Sequence, residues 1–334
     1  MNSAGSTSSA TSTTVHQWRH LAHRHQVGWG ETLLIALNIH GVRTPIEGRQ
    51  KIRLKVQPPE DEVYQLVVPS GQPTSPFTIT DNQLCVDGTP VAAVVDVRAD
   101  NAVSGYLRAA GTAATIHPGS DEASAEDGYA RLLADLAISL PVGNTLADLQ
   151  EVTVTGAGYE SEEAAIADLA TLRTAMSRLD MTARIGLLSS VVRTPEGMEA
   201  LAERVAPFTL FADAEAPTDE LVGMLAAARA AGHETSFTHT IGNDTLDVLR
   251  DHLLQLAQYT TVWPSLFILP TPSPDTDDVE HIAEPADRLD FFLQARTMLE
   301  RIFEPTQLKP QPWRCYRGLW YREYAGEPLP GPWI

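Results

Sequence analysis

The chain has 334 residues, enough for one large α/β domain or for a barrel with a small module attached. Its 43 acidic and 24 basic residues give a formal net charge of -19, which opposes binding to nucleic-acid phosphates or to an anionic membrane surface. Only two cysteines occur, Cys85 and Cys315, too far apart for a C-x-x-C redox pair and too few to hold an iron–sulfur cluster within one chain.

Residues 1–14, MNSAGSTSSATSTT, are small and polar, without the basic start and apolar run of a secretory signal, and read as a disordered tail. No run of about twenty apolar residues follows, so no membrane span is expected. The cysteines are then expected to be reduced in a cytoplasmic protein. Residues 15–40 carry helical spacing with Leu33, Leu34 and Leu37 apolar, and GVRTPIEGRQ reads as a loop. KIRLKV, VYQLVV, FTIT and LCVDGTPVAAVVDV are extended, with Asp87-Gly88 as the tight turn of a hairpin. The spacing thus predicts a small α+β lead-in over residues 15–111.

From residue 112 short apolar runs alternate with longer helical patterns. AATIH, VTVTGAG, ARIGLLS, FTLFADA, ETSFTHTIG and TTVWPSLFILP each precede a helix, the last of them PADRLDFFLQARTMLERIF. Such alternation predicts an α/β fold with parallel strands and crossover helices. A partial parallel (β/α)6 TIM-like barrel over 112–304 and an open doubly wound sheet fit it equally. VTGAGY lacks the third glycine of a dinucleotide fingerprint, and no Walker sequence occurs. Residues 305–334, with the aromatic and arginine-rich PWRCYRGLWYREYAG, form a C-terminal aromatic cap in this reading.

In a parallel barrel, chemistry sits where the strands end. Here those ends hold His117, Thr155 to Gly158, Ser189-Ser190, Asp213, His239 with Asp244, and the loop from Pro270. His239 reads either as a general acid or base partnered by Asp244 or Asp213, or as a histidine packed between strand and helix. His117 carries the same two readings. Thr155, Gly156, Gly158 and Tyr159 form either a ligand-contacting loop, where glycines admit a close backbone approach, or an ordinary strand-to-helix turn. His16, His20 and His23 share one helix face, but no cysteine or carboxylate completes a metal set there. Glu160, Glu162 and Glu163 suit a helix's first turn, and DTDDVE lacks the spacing of a calcium loop. No metal is assigned. The absence of G-x-S-x-G disfavours a serine hydrolase.

Several stretches carry a resemblance. ETSFTHTIGNDTLDVLRDHLLQLAQYTTVWPSLFILPTPSPD resembles the late barrel strands of radical S-adenosylmethionine enzymes of the tryptophan-lyase type, which cleave an aromatic amino acid to an indolic acid. LKPQPWRCYRGLWYREYAGEPLPGP resembles their C-terminal closing element, and SPFTITDNQLCVDGTPVAAVVDV their N-terminal hairpin. VTVTGAGY stands where such barrels keep a glycine-rich strand end against the methionine part of the cofactor. The departure is the cluster motif. Where the family has C-x3-C-x2-C after the first barrel strand, this chain has IHPGSDEASAEDGYARLLADLA. Carboxylates are hard ligands and replace soft thiolates poorly on an iron–sulfur cluster.

The resemblance implies a cluster-less barrel from a bacterial specialised-metabolite pathway, with three roles open. The chain is a pseudoenzyme pairing with an active radical enzyme, its interface being the barrel faces opened by loss of the cluster loop; a homodimer is the other assembly. Alternatively, it is a non-radical lyase or transferase acting on an aromatic amino acid or related small acid. His239 and His117 would then move protons, and Arg314 or Arg317, beside Tyr316, would hold a carboxylate. The third role is a binding protein for S-adenosylmethionine or its products.

Overall fold

In a computed structural model, which describes residues 13–43, 51–61, 63–71, 73–99, 105–108, 112–117, 126–155, 158–213, 217–242, 244–262, 264–268, 288–303 and 327–328, the helical spacing of residues 15–40 resolves into two helices. These are α1 (Thr13–His25) and α2 (Trp29–His40). Gln26 takes a left-handed φ of 56°. Val27 N–H then reaches back to the Ala22 carbonyl at 2.9 Å, a bond that ends a helix. Thr13 and Thr14, assigned to the tail from sequence, already belong to α1.

Five antiparallel strands follow: β1 (Lys51–Gln57), β2 (Tyr64–Pro69), β3 (Phe77–Thr80), β4 (Gln83–Val86) and β5 (Thr89–Ala99). They pair in the order β2-β1-β5-β4-β3. Two hairpins have turns with both central residues at positive φ: Asp81 and Asn82 at 51° and 58°, Asp87 and Gly88 at 46° and 79°. Such turns match the right-handed twist of the flanking strands. Ile52, Leu54, Val56, Leu66 and Val68 share one face and are fully buried.

The second sheet contains β6 (Gly105–Arg108), β7 (Ala113–Ile116), β8 (Glu151–Val154), β9 (Arg184–Leu188), β10 (Phe208–Asp213), β11 (Glu234–Ile241), β12 (Ser265–Ile268) and β13 (Glu327–Pro328). From β7 to β12 every neighbour is parallel and the spatial order equals the chain order. Antiparallel β6 and β13 extend the β7 edge. The intervening helices are α3 (Glu126–Ser139), α4 (Glu162–Arg178), α5 (Pro195–Arg204), α6 (Thr218–Ala230) and α7 (Leu246–Ala257), with α8 (Arg288–Phe303) after β12. A doubly wound sheet reverses its order at a switch point. This sheet does not reverse, which removes that alternative. Right-handed crossovers proceeding in one direction place the helices on one face. Each helix from α3 to α8 accordingly touches the next.

Three of the strand-to-helix turns are fixed by short polar side chains. Ser161 caps α4, Thr194 caps α5 with Pro195 in the first turn, and Thr245 caps α7. Helix α2 is buried on all sides from Thr32 to Ile39. It contacts β2, β12 and α8, joining the two sheets into one core. Its two buried polar residues bond their own backbone: Thr32 Oγ1 donates to Gly28 O at 2.9 Å, and Asn38 Nδ2 to Leu34 O at 2.9 Å. Its rim is ionic. Arg296 of α8 reaches Glu31 at 3.1 Å and Glu300 at 2.7 Å, and His25 meets Asp290 at 2.6 Å.

Candidate functional site

Strand alternation gives the parallel sheet two unlike faces. In register, Val152, Ile185 and Phe208 form one row and Val154, Leu187 and Leu210 the next. These side chains are buried beneath the helices. The opposite face carries Thr115, Thr153, Gly186, Phe211, Asp213 and Thr238. It is polar, and its upper row lies at the strand ends where a parallel α/β sheet does its chemistry.

Two features shape that row. A Cβ at Gly186 would lie 2.8 Å from Thr153 Oγ1 and 2.9 Å from Phe211 Cε2. The Phe211 ring therefore extends over β9 and Thr153 reaches in from the other side, an approach that only glycine admits. Next on β10 is Asp213, whose backbone is pinned by Ser190: Asp213 N–H donates to Ser190 Oγ at 2.9 Å, and Ser190 Oγ–H donates to Asp213 O at 3.1 Å. Thr238 Oγ1 lies 3.5 Å from Asp213 Oδ1. Thr155 and His117 stand at the ends of β8 and β7, joined through Thr155 N–H to the Ile116 carbonyl at 3.1 Å.

His239 lies on the other face. It alternates with Phe237, which meets Phe303 of α8, and its ring stands 5.0 Å from that of His252 on α7. His252 Nδ1 bonds Thr218 Oγ1 at 2.6 Å. Asp244 Oδ2 is 3.7 Å from His239 Nε2, beyond hydrogen-bond reach, so both imidazole Nε2 atoms are buried without a hydrogen-bond partner. Burial first, then the His252 charge, lowers the His239 pKa to about 4, and Asp244 offsets this in part. Burial likewise holds His252 below the ordinary imidazole value. Of the residues that sequence proposes for proton transfer, the structure brings Asp213 and His117 to the same end of the polar face and puts His239 behind it.

Tyr159 belongs to a third cluster, between α3 and α4. Its hydroxyl and that of Tyr129 both donate to Asp168 Oδ2 at 2.6 Å, while Asp168 Oδ1 is buried without a partner. Burial and the adjacent carboxylate raise both phenol pKa values. Gly158 precedes this cluster, and a Cβ there would meet nothing within 4 Å. Glu162 and Glu163 occupy the first turn of α4, as expected, but Glu162 also clasps the next loop. It accepts from Arg193 N–H, from Thr194 N–H at 2.8 Å and from Thr194 Oγ1–H at 2.7 Å. Burial raises its pKa, and these three donors outweigh that and hold it below the usual carboxylate value.

At the opposite strand ends, Arg184 bridges to Glu234 at 2.8 Å and Thr153 donates to Glu151 at 2.6 Å, a set of polar contacts within and between neighbouring strands. His16, His20 and His23 are exposed along α1, opposite buried Val15, Trp18 and Ala22. Among the described residues no three or more histidine, cysteine or acidic side chains are grouped to hold a metal ion. Gly156, Arg314, Tyr316, Arg317 and the DTDDVE run lie outside the described residues.

An iron–sulfur cluster does not fit this chain. Cluster ligation requires at least three convergent thiolates, and one of the two cysteines, Cys85, is buried in β4 of the antiparallel sheet. Sequence reasoning missed Phe211, Gly186 and Thr238 on the polar face, and Tyr129 and Asp168 between the helices. Asp168 left a signal: it falls on the apolar stripe of Ala165, Leu169 and Leu172, where a carboxylate needs partners. No protein-family model matches the chain, and none of the curated proteins matches it.

Proposed function

We propose that this protein is a cluster-less relative of radical S-adenosylmethionine enzymes that binds a small molecule at its polar strand ends. It serves as an accessory partner of a cluster-bearing enzyme in a bacterial specialised-metabolite pathway. One observation carries the reading: six parallel strands run in chain order with crossover helices, as a partial (β/α)6 barrel would require, yet the sheet has no cysteine with which to do radical chemistry. Closure of such a sheet would turn its helix-free face inward, and that face is polar here and ends in Asp213, Thr155 and Thr238.

The same surface supports a second reading, a non-radical lyase or transferase, because Asp213 and His117 stand at one end of it. Separation of His239 from that face weighs against a two-histidine proton relay and in favour of the partner role. The test is to mix the purified chain with a cluster-bearing radical S-adenosylmethionine enzyme encoded beside it, and to measure complex mass and single-turnover cofactor cleavage. The partner reading expects a defined hetero-oligomer and faster cleavage by the radical enzyme. Turnover of substrate by this chain alone, abolished by His117→Ala or Arg317→Ala, would replace it with the enzyme reading.

A further inference from the structure

The polar strand ends carry a carboxylate whose surroundings describe what should bind there, an inference that rests on reading this face as a ligand site. Asp213 is half-buried, and its backbone is held in place by both bonds to Ser190. Thr238 Oγ1, 3.5 Å from Oδ1, is its nearest side-chain donor, and Oδ2 has no hydrogen-bond or ion-pair partner among the described residues. The closest described cation on the neighbouring loop is already engaged: Arg193 Nε donates to Ser190 O at 2.6 Å, and Nη1 lies 3.7 Å from Glu220. Two residues before Asp213 on the same face is Phe211, half-buried, its ring extended over Gly186.

A half-buried carboxylate with no counter-ion among the described residues attracts positive charge, and the face of an aromatic ring does the same through its quadrupole. The chain's net charge of -19 adds a field of the same sign. We infer that the end of β10 is a recognition site for an organic cation, its ammonium or related group on Asp213 Oδ2 and its flat apolar part on the Phe211 ring. Gly186 is the residue that sets the size of this site. A side chain there would meet Thr153 and the Phe211 ring within 3 Å and displace the ring from β9.

Three probes of nearly equal shape separate charge from shape: phenethylammonium, phenethyl alcohol and 3-phenylpropionate, titrated calorimetrically into the full chain at pH 7.5 and low salt. Phenethylammonium should bind about tenfold or more tightly than the alcohol, and the propionate should not bind. Asp213→Asn, nearly isosteric, should bring the ammonium down to the level of the alcohol, and added salt should do so in part. Phe211→Leu should weaken ammonium and alcohol together. A circular-dichroism melt of each variant checks that the fold is intact. The inference is overturned if none of the probes binds, if the propionate binds as well as the ammonium, or if a folded Asp213→Asn variant keeps the ammonium affinity. These outcomes are independent of complex formation with a radical enzyme. A chain that binds the enzyme and no cation retires this inference alone, and a chain that binds the cation and no enzyme retires the partner role alone.

Discussion

Replacement of His239 by Gln should flatten the acid limb of the protein's stability curve. In the folded chain His239 sits between β11 and α7 with its pKa lowered to about 4, against 6.5 for the free side chain. A group of this kind is protonated more readily in the unfolded chain. Its contribution is therefore complete above pH 6.5 and is lost as pH falls toward 4. Between pH 7.5 and 5.0 the linkage amounts to about 2 kcal/mol for this residue alone. Gln keeps a planar polar group and does not titrate. His40, stacked on Trp18 and also lowered to about 4 by burial and by Arg288, remains in both proteins, so its share cancels in the comparison. Urea unfolding followed by circular dichroism at the two pH values gives four free energies. Wild type should lose about 2 kcal/mol more than His239→Gln on acidification. Equal losses would mean that His239 is hydrated or charged in the folded protein, and the packing argument between β11 and α7 would fall.

Asp168→Ala should cost about 3 kcal/mol or more in chemical unfolding, since it strands the buried hydroxyl of Tyr129 and the partly buried one of Tyr159; Tyr129→Phe, which removes one donor only, should cost less than half of that. Gly186→Ala should destabilise by about 1–3 kcal/mol in the same assay, because its methyl group meets Thr153 and the Phe211 ring within 3 Å. Arg296→Met leaves Glu31 and Glu300 facing each other at the α2–α8 contact, and should lower stability by about 2–3 kcal/mol at low salt, less at high salt. Arg296→Lys should recover only part of this, because the bidentate pair with Glu31 requires the guanidinium fork.

The alternation of strands and helices was legible because short apolar runs and longer helical patterns succeed one another, several of them with polar residues at the joins. Ser161, Thr194 and Thr245 mark where helices begin, and Asp87-Gly88 marks a hairpin. Winding was not legible. Six strand–helix pairs are compatible with an order that reverses or one that does not, and only the β7-to-β12 pairing distinguishes them. The break between α1 and α2 was missed because Gln26 is not a residue that announces a left-handed turn, unlike glycine or asparagine. The fate of His239 was partly written in parity. It shares a face with Phe237, and a large apolar side chain on a crossover strand belongs under the helices. By the same parity Phe211 and Asp213 fall together on the other face, but nothing in the sequence shows that the ring crosses to Gly186, since that contact joins residues on different strands.

The scarcity of cysteine and the polarity of the helix-free face are separate facts, and together they restrict the chemistry. A radical barrel needs soft ligands to hold its cluster and an exposed iron to hold its cofactor. Without them, a strand-end surface retains whatever its own side chains can grip. Here those are a backbone-locked carboxylate, hydroxyls from Thr155 and Thr238, an imidazole at position 117 and an aromatic ring beside a glycine. Carboxylate and hydroxyl groups fix the position of a donor or a cation, while Asp213 and His117 are separated by β8 and β9. Neither supplies an electron. Binding needs only such groups, and binding is all that the accessory role proposed above asks of this face.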